Sequence, residues 1–132
     1  MRLLIDSHVL LWALNDTDLL GEETTKLLNN KDSEVYISVV SSWELGLKHK
    51  QHPNSQPYTI KDLYSGVVEM NGHFLELFDE HILEYETIVL ENYDPFDGLL
   101  VAQSEGEGLV FVTADANILK SKTKYRIHNA KK

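Results

Sequence analysis

Apolar residues come in short blocks along the chain, and the spacing inside the blocks switches between a strand-like and a helix-like period. Arg2-Leu3-Leu4-Ile5 is a brief apolar run ending at Asp6, which reads as a strand buried on both faces. Leu10, Leu11 and Leu14 then recur at helical spacing, with Ser7 placed to cap that helix. Asn15 to Asp18 is a turn, and Glu22 to Asn30 is a short helix with acids in its first turn. Val35 to Ser38 has the β-branched and aromatic content of a strand. Ser41 or Ser42 caps a following helix that runs to about Lys50 and carries Glu44 in its first turn. After a loop from His52 to Pro57, the pattern predicts a helix over 60–69, a strand over 74–78 and a helix over 80–90. Asp94-Pro95 opens another helix, with Asp as N-cap and Pro at the first helical position, and Glu105 to Gly108 ends it. Leu109 to Thr113 is the strongest strand, and a short helix and a last strand over 125–127 complete the series.

Strands that alternate with helices require crossover connections, hence an α/β fold with a mainly parallel sheet of four to five strands between helix layers. The 132 residues fit a single domain, 1–132, and neither an internal repeat nor a linker interrupts them. Composition is that of a soluble globule, with 42% hydrophobic and 25% charged residues. No apolar run approaches the roughly 20 residues that cross a bilayer, and Asp6 comes too early for a secretory leader. Zero cysteines exclude a disulfide framework, a thiolate zinc site and a cysteine nucleophile. The expected location is cytoplasmic, without membrane association.

Charge changes the picture. The net charge of −9 argues at first against a nucleic-acid partner. Its distribution is uneven, however: between Asp62 and Leu119 there are 13 acids and no Lys or Arg, while six of the 12 basic residues lie from Lys120 onward. Ligands of parallel sheets bind beyond the carboxyl ends of the strands. Asp6 and Asp115 fall at that rim by counting, Glu44 and Asp97 lie at helix starts, and together they form a candidate quartet. Because the Asp97 helix leads into the Val110 strand, its start is expected to reach the rim only through an unusual bend. Converging carboxylates raise one another's pKa unless a cation shares the site, and an all-oxygen set suits Mg²⁺ or Mn²⁺. Each acid also has a plain structural use. Asp94 and Asp115 fit helix caps, Asp97 fits a capping box, and Glu44 fits a helix N-terminus with Lys48 as its i,i+4 partner. Asp6, directly after a buried strand, has the least reason to be there without a partner. Trp43 reads as a core anchor, and the histidines lack metal-ligand spacing.

Four blocks carry a family resemblance: Leu4-Ile5-Asp6-Ser7-His8, Ser41-Ser42-Trp43-Glu44-Leu45, Asp94-Pro95-Phe96-Asp97-Gly98-Leu99-Leu100 and Val112-Thr113-Ala114-Asp115. In order and spacing they resemble PIN-domain ribonucleases, most closely the VapC-type toxins of type II toxin–antitoxin pairs. The resemblance implies a three-layer α/β/α fold and an acidic site of Asp6, Glu44, Asp97 and Asp115 holding one or two Mg²⁺ or Mn²⁺ ions. It further implies that Ser7, Asp94 and Thr113 support that site and that Lys48 touches substrate phosphate. RNA as substrate, a small antitoxin as inhibitor and a homodimer, for which Leu10, Trp12 and Leu14 are candidates, follow from it as well. Two positions depart from the subfamily pattern: Gly98 stands where Arg is frequent and Asn92 where His is frequent. The competing readings are a non-catalytic PIN-like binding module, and an Asp-dependent phosphohydrolase with Asp6 as nucleophile. His8 opposes the latter, because it stands where such enzymes commonly have a second Asp. Phosphate contacts are expected at Lys48 and in the region from Lys120 to Arg126.

Overall fold

An apolar strand with no polar alternation belongs in the middle of a sheet covered on both sides. In the computed structural model, which describes Met1–Lys132, β1 (Arg2–Ile5) occupies that place, with Leu3, Leu4 and Ile5 fully buried. It pairs in parallel with β2 (Glu34–Ser38) on one side and β4 (Val110–Thr113) on the other. The edges are β3 (His73–Leu75) beside β2 and β5 (Ile127–Asn129) beside β4, so the five-stranded, all-parallel order is β3-β2-β1-β4-β5. The chain winds outward from β1 in one direction and then crosses to its other side, which puts the reversal of winding between β1 and β4.

Seven helices flank the sheet: α1 (Ser7–Asn15), α2 (Glu22–Asn29), α3 (Val39–Gln51), α4 (Ile60–Glu69), α5 (Asp79–Tyr85), α6 (Pro95–Glu107) and α7 (Ala116–Leu119). Alternate residues of β1 feed two cores. Leu3 and Ile5 pack with Val9 and Leu10 of α1, Leu45 of α3, and Leu63 and Val67 of α4. Leu4 packs on the opposite face with Phe111, Leu100 and Val101 of α6 and Ile118 of α7. Each fully buried aliphatic side chain contributes about 1.5–3 kcal/mol relative to exposure, so this sandwich fixes the register of β1.

Several boundaries differ from those read in the sequence. Asp6 rather than Ser7 is the N-cap of α1. Ser38, whose hydroxyl accepts from the Val40 N–H at 3.0 Å, caps α3, so that helix begins before Ser41 and Glu44 falls in its second turn. Trp43 is turned out, 59% exposed and edge-on to Phe96 at 4.7 Å, rather than anchoring the core. The third strand stops at Leu75, because the backbone soon turns to let the Phe78 N–H donate to His81 Nδ1 at 3.0 Å. Helix α5 ends at Tyr85, before the β-branched run Thr87-Ile88-Val89. The last strand begins at Ile127, Tyr125 being used instead to accept a hydrogen bond from the Val89 N–H at 2.8 Å. Helix α6 runs to Glu107 and ends at Gly108 in the left-handed region, φ 70°. No unusual bend is needed to carry Asp97 to the rim. A helix that delivers the chain to the start of a parallel strand runs antiparallel to it, so α6 begins at the carboxyl ends of the strands.

Candidate active site

Strand β1 ends where β4 ends, and the residues that follow each are brought together across the reversal point. Asp6 is buried there, with both carboxylate oxygens engaged: one accepts the Ser7 N–H at 2.8 Å and the other the Thr113 hydroxyl at 2.9 Å. The Thr113 oxygen in turn accepts the Asp115 N–H at 3.0 Å, which ties the two rims into one network. Thr113 thus supports Asp6 through its side chain, whereas Ser7 does so through its backbone. Asp115 caps α7, accepting from the Asn117 and Ile118 N–H groups at 2.8 and 3.1 Å.

Two helices bring the other acids. Asp94 caps α6 by accepting from the Phe96 and Asp97 N–H groups at 2.9 and 3.3 Å, as an Asp-Pro start favours. Asp97, buried in the first turn of α6, receives the Asn92 amide at 3.0 Å. Glu44 pairs with Lys48 at 3.7 Å along α3. Asp6, Glu44, Asp97 and Asp115 line one cavity of about 180 Å³. The tightest acidic group overlaps this quartet without matching it: single oxygens of Glu44, Asp94 and Asp97 lie within 4.8 Å of one another. Asp94 therefore caps α6 and also presents a carboxylate to its neighbours.

Burial dominates the electrostatics. It pushes the Asp6 carboxyl above its usual range against the pull of His8, of the Thr113 and Ser7 hydrogen bonds and of Lys48. Burial raises Glu44 to about 7, with Lys48 opposing and Asp6, Asp97 and Asp94 adding to the rise. Asp97 is raised to about 6, again by burial first, with the Asn92 hydrogen bond opposing and Asp94, Asp115 and Asp6 reinforcing. Four carboxylates share the lining with two lysines, Lys48 and Lys131, so the cavity is short of positive charge, and its all-oxygen donor set fits a hard divalent cation.

Some residues at this cavity escaped the sequence reading. Lys131, His8 and Trp12 complete its lining, with the Lys131 ammonium 5.6 Å from the Trp12 ring centre. A parallel β5 releases the chain at the same rim as β1 and β4, and that direction was the available signal for Lys131. The tail is held in place by backbone bonds from Ala130 N to Thr113 O at 2.8 Å and from Gly21 N to Ala130 O at 2.9 Å. None of Lys120, Lys122, Lys124 and Arg126 lines the cavity: Lys120 pairs with Glu91 at 3.4 Å and Arg126 with Glu105 at 3.4 Å. At Gly98, a β-carbon would stand 2.5 Å from the Tyr85 ring, so that ring takes the space a side chain there would need.

A five-stranded parallel sheet with carboxylates gathered at its reversal point defines an acidic-site α/β protein. Residues 3–124 match the PIN domain family model, and the chain belongs to that family. No curated protein sequence matches it significantly. Among solved structures, it is similar to VapBC2 from Rickettsia felis bound to a DNA fragment from its promoter, with 15% identity, TM-score 0.63 and 98% of each chain covered. It is also similar to a toxin–antitoxin complex from Klebsiella pneumoniae, with 11% identity, TM-score 0.62 and 96% of each chain covered. FitAcB from Neisseria gonorrhoeae shares 18% identity at TM-score 0.59 over 97% of each chain. At these identities the likeness is one of fold.

Proposed function

We propose that this protein is a metal-dependent endoribonuclease acting as the toxin of a toxin–antitoxin pair. The observation that carries this reading is the convergence of Asp6, Glu44, Asp97 and Asp115 on one cavity where burial leaves the carboxyls short of counter-charge. The group that would reside here is Mg²⁺ or Mn²⁺, one ion or two, which these four residues would hold together with Asp94, whose carboxylate lies within 4.8 Å of those of Glu44 and Asp97. When bound, it supplies an activated water and neutralises charge on the phosphoryl oxygens.

The chain's own residues set the geometry. Thr113 and the Ser7 N–H donate to opposite oxygens of Asp6 and so fix its plane. Asn92, at the position where the subfamily often has His, donates its amide to Asp97 and holds it. Lys48 and Lys131 stand at the mouth as contacts for backbone phosphates, which resolves the opposition between an acidic protein and an anionic substrate. Partner and setting follow from the kin of the fold, several of which are toxin–antitoxin complexes. A small antitoxin is the expected inhibitor, a homodimer the expected assembly and the cytoplasm the expected location. No helix is long and apolar enough to cross a membrane.

Cleavage of a mixed RNA pool in Mn²⁺, with and without chelator, tests the activity. Wild type is expected to cut only with the metal present. Asp6→Asn and Asp97→Asn are expected to lose at least about 100-fold in rate, the loss of a transition-state interaction worth roughly 3 kcal/mol. Retained cleavage by either variant, or failure of Mn²⁺ to bind wild type in calorimetry, overturns the reading.

A further inference from the structure

A second cavity of about 280 Å³ adjoins the acidic one and shares His8 and Trp12 with it. It lies between α1 and the loop 52–59, with Leu11, Trp12, Pro57 and Tyr58 supplying apolar walls. We propose that this cavity holds the base of the nucleotide next to the scissile phosphodiester, with Trp12 as its stacking face. Lys131 would meet the intervening phosphate. The proposal deepens the nuclease reading and rests on it.

Three observations select a nucleobase. Flat apolar walls opening directly off a phosphodiester site suit stacking, which every base accepts on its π-face. The Asn15 side chain makes no hydrogen bond within the protein and borders the cavity, so its amide is free to meet a base edge with both donor and acceptor. Gln56 beside it is already committed, donating to Tyr58 O at 2.8 Å and accepting from Tyr58 N at 3.2 Å. Charge then selects this side of the acidic site over the other. The larger cavity of about 410 Å³ on the far side is lined by Tyr85 and Tyr93 but has Glu86 and Asp94 as its charged groups and no cation. The Trp12 cavity has Asp16 as its one carboxylate, and Lys131, on the lining of the adjoining acidic cavity, stands 5.6 Å from the Trp12 ring centre. A polyanion leaving the carboxylates has its path of least repulsion over Trp12.

The chain has two tryptophans, so Trp43→Phe leaves Trp12 as the sole reporter. In Mn²⁺, nucleoside monophosphates are expected to quench its fluorescence and ribose 5-phosphate is not; equal quenching by both overturns the proposal. In cleavage assays Trp12→Ala is expected to raise KM about five-fold or more with kcat nearly unchanged, and Trp12→Phe to restore most of it. Asn15→Ala, an exposed change that leaves the fold intact, is expected to alter the base preferred beside the cut in a randomised RNA library. A wild-type KM in Trp12→Ala, or an unchanged library profile in Asn15→Ala, overturns the proposal while leaving the ribonuclease standing. If wild type cuts no RNA although the monophosphates quench, the nuclease reading has failed and the base site survives. A co-purifying protein segment that shields Trp12 without competing with nucleoside monophosphates also counts against it.

Discussion

Glu44 and Asp97 hold their protons more tightly in the folded protein than in the unfolded chain, because burial raises them to about 7 and about 6 from 4.5 and 3.8. Between the unfolded and folded values the native state binds more protons, so the contribution of these two groups to stability is fully present at low pH and declines as the pH rises from about 4 through about 7. At about 1.4 kcal/mol per pKa unit, and discounted because solvent screens both groups, the two together carry on the order of a few kcal/mol at most. Metal-free protein is therefore expected to lose melting temperature steadily from pH 5 to pH 8 in calorimetry, and Glu44→Gln is expected to flatten that decline. Mn²⁺ is expected to reverse it, giving a larger stabilisation at pH 8 than at pH 5, since protonated carboxyls are poor ligands. Thr113 invites a related test. Thr113→Val removes the hydroxyl that donates to Asp6 at 2.9 Å and leaves a buried acceptor short of a partner. The expected result is a loss of about 1–3 kcal/mol in urea denaturation together with weakened Mn²⁺ binding.

Helices α5 and α6 carry the local adaptations of this chain. His81 is 1% exposed and joined to both neighbours: its Nδ1 accepts from Phe78 N, so its Nε2 proton points to Glu107 at 2.9 Å. Gln103 of α6 extends the network, bonding Ser38 at the cap of α3 and donating to Glu76 O at 3.1 Å. These bonds hold α6, and with it Asp97, at a fixed height against β2 and α3. Gly98 lets Tyr85 lie on α6 beside the site. Gly98→Ala is expected to destabilise by about 1–3 kcal/mol in urea denaturation. Combined with Tyr85→Ala it is expected to cost less than the sum, because the clash disappears with the ring. The sequence marked the existence of every one of these helices but not all of their limits. Ser38 outcompeted Ser41 and Ser42 as the α3 cap because its hydroxyl is held from outside the helix, by Gln103 sixty-five positions away. No local pattern contains that partner. Trp43 was misplaced for the same reason, since the ring it meets, that of Phe96, lies far along the chain.

Across the whole molecule, what was readable was what depends on neighbours in sequence: the buried character of β1, the alternation of strand and helix, and the Asp-Pro start of α6. PIN-type blocks located the four acids, and strand ends alone placed Asp6 and Asp115 at the rim. The association of Asp94 with Glu44 and Asp97, and the presence of Lys131, depend on the relative height of helices and on the path of the tail after β5. Those are set by packing between distant segments. Charge is segregated at this scale too, with α5 and α6 carrying no Lys or Arg while Lys48 and Lys131 reach the acids from the opposite flank.

The central position of β1 has a further consequence during synthesis. Its partner β4 lies over a hundred residues downstream, and the bond from Thr113 to Asp6 spans 107 positions. Until β4 has left the ribosome, β1 lacks one of its two neighbours and Asp6 lacks its hydroxyl donor. A chain stopped before Thr113 cannot assemble the pocket around Asp6.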